Sequence, residues 1–213
     1  IVTTPKTKEI NGLSFGGVGS GTKIHHIMVK DQADDCFEWF GGTVNADHLI
    51  CQNPDDDMFD TDEGFKGHLQ YLFGRSLTKG TSDDPNGFEW DGNQPLLTAP
   101  AATLSVPQAS NATLCGYKAT DKVTYGALLR RNLGEGTLVQ NSIVTGYTFG
   151  VDARDSVGTT AAPLIAWTNS LFFEQVTADG ANPADDELKD GAFDEQSWLT
   201  LAANANDVSS AVP

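Results

Sequence analysis

The feature that most constrains this chain is a repeat of 22 residues that starts near Ile24. At that offset Ile24-His25-His26-Ile27-Met28-Val29 falls over Ala46-Asp47-His48-Leu49-Ile50-Cys51. Asp34-Asp35-Cys36-Phe37-Glu38 falls over Asp56-Asp57-Met58-Phe59-Asp60, and Gly42 over Gly64. A third step carries Ile27 and Leu49 to Tyr71, and Val29 and Cys51 to Phe73. Seven residues are then inserted around Thr78 to Asp84, after which Phe59 maps to Phe88, Asp60 to Glu89 and Asp62 to Asp91. Looser turns follow: Asn111-Ala112-Thr113-Leu114, Asn141-Ser142-Ile143-Val144 and Asn169-Ser170-Leu171-Phe172 match one another. Ala127-Leu128-Leu129-Arg130-Arg131 reads as the counterpart of Cys36-Phe37-Glu38-Trp39-Phe40.

Within each repeat the apolar residues alternate, which is the period of a β-strand. A unit this short cannot close a core of its own, but coils stacked in parallel bury one continuous core. The leucine-rich repeat is the rival at this period, and its Leu-x-x-Leu-x-Leu pattern is absent. The expected fold is therefore all-β: a right-handed parallel β-helix of about six coils over residues 1–175. Residues 176–213 are expected to form an irregular acidic tail, packed on the solenoid through Phe193 and Trp198 as a loop or partial cap. In that tail Asp194 reads as the N-cap of a short helix. Residues 93–107 read as an excursion, and Ile1 to Ser20 as an earlier partial coil.

Stacking predicts side-chain columns. One inward column contains Ile27, Leu49, Tyr71, Ala112, Ser142 and Ser170, and another Val29, Cys51, Phe73, Leu114, Val144 and Phe172. Phe37, Phe59 and Phe88 form an aromatic column that Leu128 continues. Trp39 and Trp90, with Thr61 between, are expected beside it in the core, where they could not stack on a sugar. Gly16-Gly17, Gly41-Gly42 and Gly64 mark corners.

The chain resembles a widespread group of bacterial secreted and lipoprotein-like parallel β-helix proteins. The resemblance rests on Gly12 to Thr22, Ala33 to Asn45, Asp55 to Asp60, Gly126 to Arg131 and Asn141 to Gly146, and covers roughly residues 10–175. It implies the fold and export to the cell surface or beyond, and carries no catalytic residues over.

Charge narrows the function. The 213 residues carry a net charge of −16 with a pI near 4.3. Nucleic acids and anionic membranes need Lys and Arg, so neither is expected as a partner. No apolar run is long enough to span a membrane. The start at Ile1, without a signal-peptide pattern, reads as a mature or trimmed product. Cys36, Cys51 and Cys115 allow one disulfide at most, and whether Cys51 pairs with Cys115 is left open.

The densest acidic group is Asp55, Asp56, Asp57, Asp60, Asp62 and Glu63. Outward Glu38, Asp60 and Glu89, with Asp34-Asp35 and Asp83-Asp84, extend it into a wall. Like charges about 4.8 Å apart repel, and a hard cation such as Ca²⁺ relieves that repulsion. The six residues are thus candidate calcium ligands; the bland alternative is a solvated corner in which Asp serves turns. Arg130 and Arg131 end the wall, as a base would in a polysaccharide lyase, or simply pair with Glu89 or Asp91. His26 and His48, near His25 and His68, suggest a transition-metal pair or merely a polar ladder. Asn111-Ala112-Thr113 fits a glycosylation sequon of little weight in a bacterial-looking chain. No organic cofactor is expected. The function expected is a non-catalytic extracellular or cell-surface structural or interaction module, calcium-stabilised. Its partners would be other chains, itself included, through the solenoid ends or faces, or glycans. The alternative is a polysaccharide lyase or glycoside hydrolase acting on an acidic glycan.

Overall fold

Among the described residues, alternating apolar residues and short corners produce fourteen strands, paired in parallel. The computed structural model describes residues 10–78, 80, 82, 85–93, 103–118, 121, 123–131, 133–154, 165–174 and 194–208. One six-stranded sheet stacks β1 (Leu13–Gly16), β3 (Phe37–Phe40), β5 (Phe59–Asp62), β7 (Phe88–Asp91), β9 (Tyr125–Arg130) and β12 (Phe149–Ala153), in that order. The second sheet stacks β2 (Lys23–Lys30), β4 (Asn45–Gln52), β6 (His68–Arg75), β8 (Gln108–Cys115), β10 (Thr137–Gln140) and β13 (Ile165–Thr168). Past a break at Asn141 and Asn169, β11 (Ile143–Thr145) and β14 (Leu171–Phe173) carry on from β10 and β13. Each coil contributes once to each sheet, so the chain is a parallel β-helix of six coils.

The second sheet bends. His26, His48, Tyr71, Asn111, Asn141 and Asn169 occupy one position in successive coils, and all have φ of 52–57°. A single left-handed residue turns the strand, and Asn and His accept that conformation better than most side chains. Three of the six are Asn, which is the local reason that the bend recurs there.

Inside, the columns are continuous. Phe37, Phe59 and Phe88 are fully buried, with ring centroids 5.5 Å and 6.1 Å apart. Trp39, Thr61, Trp90 and Leu129 form the next column, also fully buried, so neither tryptophan offers a face to solvent. Ile27, Leu49, Leu72 and Ala112 stack in the second sheet. Ser142 and Ser170 extend this column as a polar ladder: Ser142 Oγ accepts from the Ala112 N–H at 3.3 Å and Ser170 Oγ from the Ser142 N–H at 3.0 Å.

Two expected positions are wrong by one residue. The third step of the second sheet is 23 residues, Leu49 pairing with Leu72, so Tyr71 and Phe73 point outward and Leu72 and Gly74 inward. The added residue lies in the corner Phe65-Lys66-Gly67, where buried Phe65 fills space and a side chain on Gly67 would meet the Val44 carbonyl at 2.0 Å. Gly74 belongs inward because Met58 occupies its space: a Cβ there would meet the Met58 sulfur at 2.3 Å. A slip of one residue exchanges faces, so both aromatic assignments fail together. Likewise Ala127, not Leu128, continues the phenylalanine column, and Leu128 stands over Glu89 on the outer face.

The C-terminal end is covered. The helix α1 (Glu195–Leu199) is N-capped by Asp194, whose carboxylate accepts the Ser197 N–H at 2.7 Å. Buried Glu195 accepts the Ala153 N–H at 3.0 Å, and Asn206 accepts the Ser170 N–H at 2.9 Å, so both sheets' last strands are met by side chains. Trp198 is buried in this cap. Phe193, Asp83, Asp84 and most of the expected excursion lie outside the described residues. Cys36 and Cys51, both fully buried, form a disulfide, and Cys115 is a free thiol. No helix among the described residues is long and apolar enough to cross a membrane.

Candidate functional site

The outer face of the first sheet gathers the acids. Its register stacks Glu38, Asp60 and Glu89, which Leu128 and Asp152 follow. The neighbouring outward positions are Phe40 paired with Asp62 and Asp91 paired with Arg130. The turns that lead into β3, β5 and β7 add a second ladder beside the sheet. Asp35 Oδ1 accepts the Asp57 N–H at 2.9 Å, Asp57 Oδ1 accepts the Asn86 N–H at 2.6 Å, and Asn86 Oδ1 accepts the Tyr125 N–H at 3.0 Å. Each of these side chains thus satisfies the next coil's backbone, the usual use of Asp and Asn in turns.

The two ladders bring carboxylates together across coils. One oxygen each from Asp35, Glu38 and Asp60 lies within 4.8 Å of the others, and the same holds for Asp34, Asp35 and Asp56. Asn11 donates to Glu38 Oε2. Asp60 is about nine-tenths buried, and its Oδ1 has no hydrogen-bond partner among the described residues. Burial pushes the Asp35 carboxyl up to about 9, with Asp56 and Glu38 adding repulsion against the Asp57 hydrogen bond. Burial also raises Asp57 and Asp60 well above the ordinary carboxylate range, reinforced by Glu89 and Asp35. Glu38 rises for the same reason. A cluster with too few donors for its oxygens can hold protons or a cation.

The structure does not bring the six acids singled out in the sequence into one cluster. Asp56 and Asp60 enter the cross-coil clusters. Asp57 is engaged in the backbone ladder. Asp62 accepts the Glu63 N–H at 2.6 Å and lies 4.0 Å from Arg131. Glu63 is exposed in a left-handed turn, and the Asp55 N–H donates to the Gln32 carbonyl at 2.8 Å. Asp34, Asp35 and Glu38 come from the preceding coil. The 22-residue offset that superposes them on Asp56, Asp57 and Asp60 is the signal that points to them.

The basic end of the face is neutralised. Arg130 Nε donates to Asp91 at 2.7 Å and its Nη2 to Glu89, while Arg131 donates to Asp91. Burial works against the Arg130 charge, but the Glu89 and Asp91 carboxylates more than offset it and hold the guanidinium protonated. Farther on, Arg154 pairs with Asp152 at 2.5 Å and lies over the Tyr125 ring at 5.1 Å. None of these arginines is placed as a base.

Six parallel coils with a carboxylate-lined outer face define a parallel β-helix protein. The family model of the pectate-lyase-like β-helix domain matches residues 2–211, and the chain belongs to that family. No curated protein and no solved structure matches the chain.

Proposed function

We propose that this chain is a non-catalytic module of an exported or cell-surface protein, a stiff solenoid that meets other chains through its faces and holds calcium on its acidic face. One observation carries the reading: Asp35, Glu38 and Asp60 converge from two coils with a buried, unpartnered oxygen on Asp60. A hard cation with oxygen ligands is the natural counter-charge, and it ties one coil to the next. The buried Cys36–Cys51 disulfide agrees with an oxidising compartment. Across the second sheet, Met28, Ile50 and Phe73 make an exposed apolar column, which Thr113 separates from exposed Ile143, the kind of surface that contacts between copies of this chain would cover. Thermal unfolding tests the calcium reading. The melting temperature rises with millimolar Ca²⁺ and falls with chelator, and Asp60→Asn removes the response. At a hundredfold excess over Kd the gain is about 2.7 kcal/mol. A curve indifferent to both additions would sink the proposal.

A second reading is a lyase or hydrolase for an acidic glycan. It is favoured by the strongly raised carboxyls beside Asp60, since a carboxylic acid kept protonated near neutral pH can serve as a general acid. Against it, Asp35 and Asp57 each bond backbone, and Arg130 is tied to two acids. Incubation with polygalacturonate separates the readings. New unsaturated or reducing ends, lost in Asp60→Asn, would establish catalysis; the structural reading expects none.

A further inference from the structure

On the opposite side of the solenoid, the bend of the second sheet creates a different kind of site. In an extended strand, neighbouring side chains point to opposite faces. At His26 and His48 the backbone turns left-handed, with φ of 57° and 54°. The turn brings His25 and His26 to the same outer side, and does the same for Asp47 and His48 one coil later. His25 and Asp47 are register partners in β2 and β4. The His26 and His48 rings stack with centroids 4.4 Å apart and planes 8° from parallel. His25 Nδ1 and His26 Nδ1 are 3.0 Å apart, and His48 Nδ1 is 2.5 Å from Asp47 Oδ1. One ligand atom each from His26, Asp47 and His48 lies within 4.8 Å of the others.

We infer that His25, His26, Asp47 and His48 form a surface binding site for a transition-metal divalent cation of the zinc or copper type. The donor set argues for it: three imidazoles and one carboxylate suit Zn²⁺, Cu²⁺ or Ni²⁺, whereas Ca²⁺ and Mg²⁺ require oxygen throughout. The spacing argues for it as well. Two nitrogens bound to one ion at zinc's bond lengths stand roughly 2.9–3.4 Å apart, the separation already present between His25 and His26. The third argument is positional. The same left-handed position holds Asn in the last three coils, so the fold does not require His at it. This site is independent of the calcium reading, sharing no residue with the acidic face.

The test uses the full chain in millimolar Ca²⁺, which occupies hard-cation sites elsewhere, titrated with Cu²⁺ or Zn²⁺ at pH 7.5. One equivalent of Cu²⁺ binds, with nitrogen hyperfine structure in its electron paramagnetic resonance spectrum, and Zn²⁺ competes for it. Affinity falls as pH is lowered, because protons and the metal compete for the same donor atoms. His26→Asn and His48→Asn put into these coils the residue that Asn111, Asn141 and Asn169 already supply at the bend, so the fold is kept. Each weakens binding at least tenfold. Wild-type binding weaker than millimolar, or a His26→Asn/His48→Asn double variant within tenfold of wild type, overturns the inference.

Discussion

At the residue scale, the acidic face is held by a few side chains whose charge state matters more than their size. Asp60 carries a buried oxygen that finds no hydrogen-bond partner among the described residues, beside Asp35, Glu38 and Glu89. Burial and the neighbouring carboxylates raise its carboxyl well above the ordinary value of 3.8, so folding favours the protonated form and keeping the group ionised without a cation costs stability. Asp60→Asn removes that cost. In chelator at pH 8 the variant is expected to be more stable than wild type by roughly 1–3 kcal/mol, with a smaller gain at pH 5, as denaturant unfolding at the two pH values would register. Loss of stability at both would mean that the carboxylate makes a favourable bond in the apo protein. Arg130 behaves oppositely. It bonds both Glu89 and Asp91, so Arg130→Ala removes a charged partner from each of two largely buried acids, leaving Asp91 with Arg131, and is expected to cost about 3–5 kcal/mol. Lys has no fork to reach both acids, so Arg130→Lys recovers little of that loss. A small effect from either variant, measured by urea unfolding, would show that the ion pairs are solvated in solution.

At the scale of the strand, register decides what each side chain does. The one-residue expansion at Phe65-Lys66-Gly67 sets β6, so that Leu72 stacks between Leu49 and Ala112. Leu72→Ala is therefore expected to lose about 2–5 kcal/mol, whereas Phe73→Ser, despite removing a larger ring, changes stability by less than about 0.5 kcal/mol. The reverse order would restore the even 22-residue spacing. Phe59 sits mid-column between Phe37 and Phe88, and Phe59→Ala is expected to cost about 3–5 kcal/mol. Because each coil contacts only its neighbours, the damage should appear first as loss of amide-exchange protection in β3, β5 and β7.

For the molecule as a whole, the clustered acids make stability depend on pH. Asp35 moves from 3.8 to about 9 on folding, and Asp57 and Asp60 move in the same direction. Between about pH 4 and pH 9 the unfolded chain binds fewer protons than the folded one, so stability falls as pH rises through that window. The melting temperature in chelator should therefore be lower at pH 8 than at pH 5.5, and Ca²⁺, by replacing the protons, should narrow the gap. A melting temperature that climbs with pH in chelator would show that the acids are ionised and paired in the fold. The disulfide has a plain chemical signature too. Alkylation of the intact, unreduced protein should label Cys115 alone, and mass spectrometry should recover Cys36 and Cys51 in one linked pair.

The 22-residue offset, with the insertions and looser turns that follow it, was enough to determine the parallel β-helix, the six coils and the Phe37–Phe59–Phe88 column, because units this short bury a core by stacking one coil on the next. It also superposed Asp34, Asp35 and Glu38 on Asp56, Asp57 and Asp60. Three things were decided only by tertiary structure. An extra corner residue is invisible to a repeat count until Phe65 is seen filling the corner and Met58 the space facing Gly74, and that shift moved Tyr71 and Phe73 to the surface. Which acids share a site depends on distances between coils, so Asp60 joins Glu38 and Asp35 rather than its own neighbours Asp62 and Glu63. The disulfide between Cys36 and Cys51, and the gathering of His25 beside His26, both follow from where the backbone turns. Periodicity records which residues are equivalent, whereas contact is set by the corners, and corners are where the sequence is least periodic.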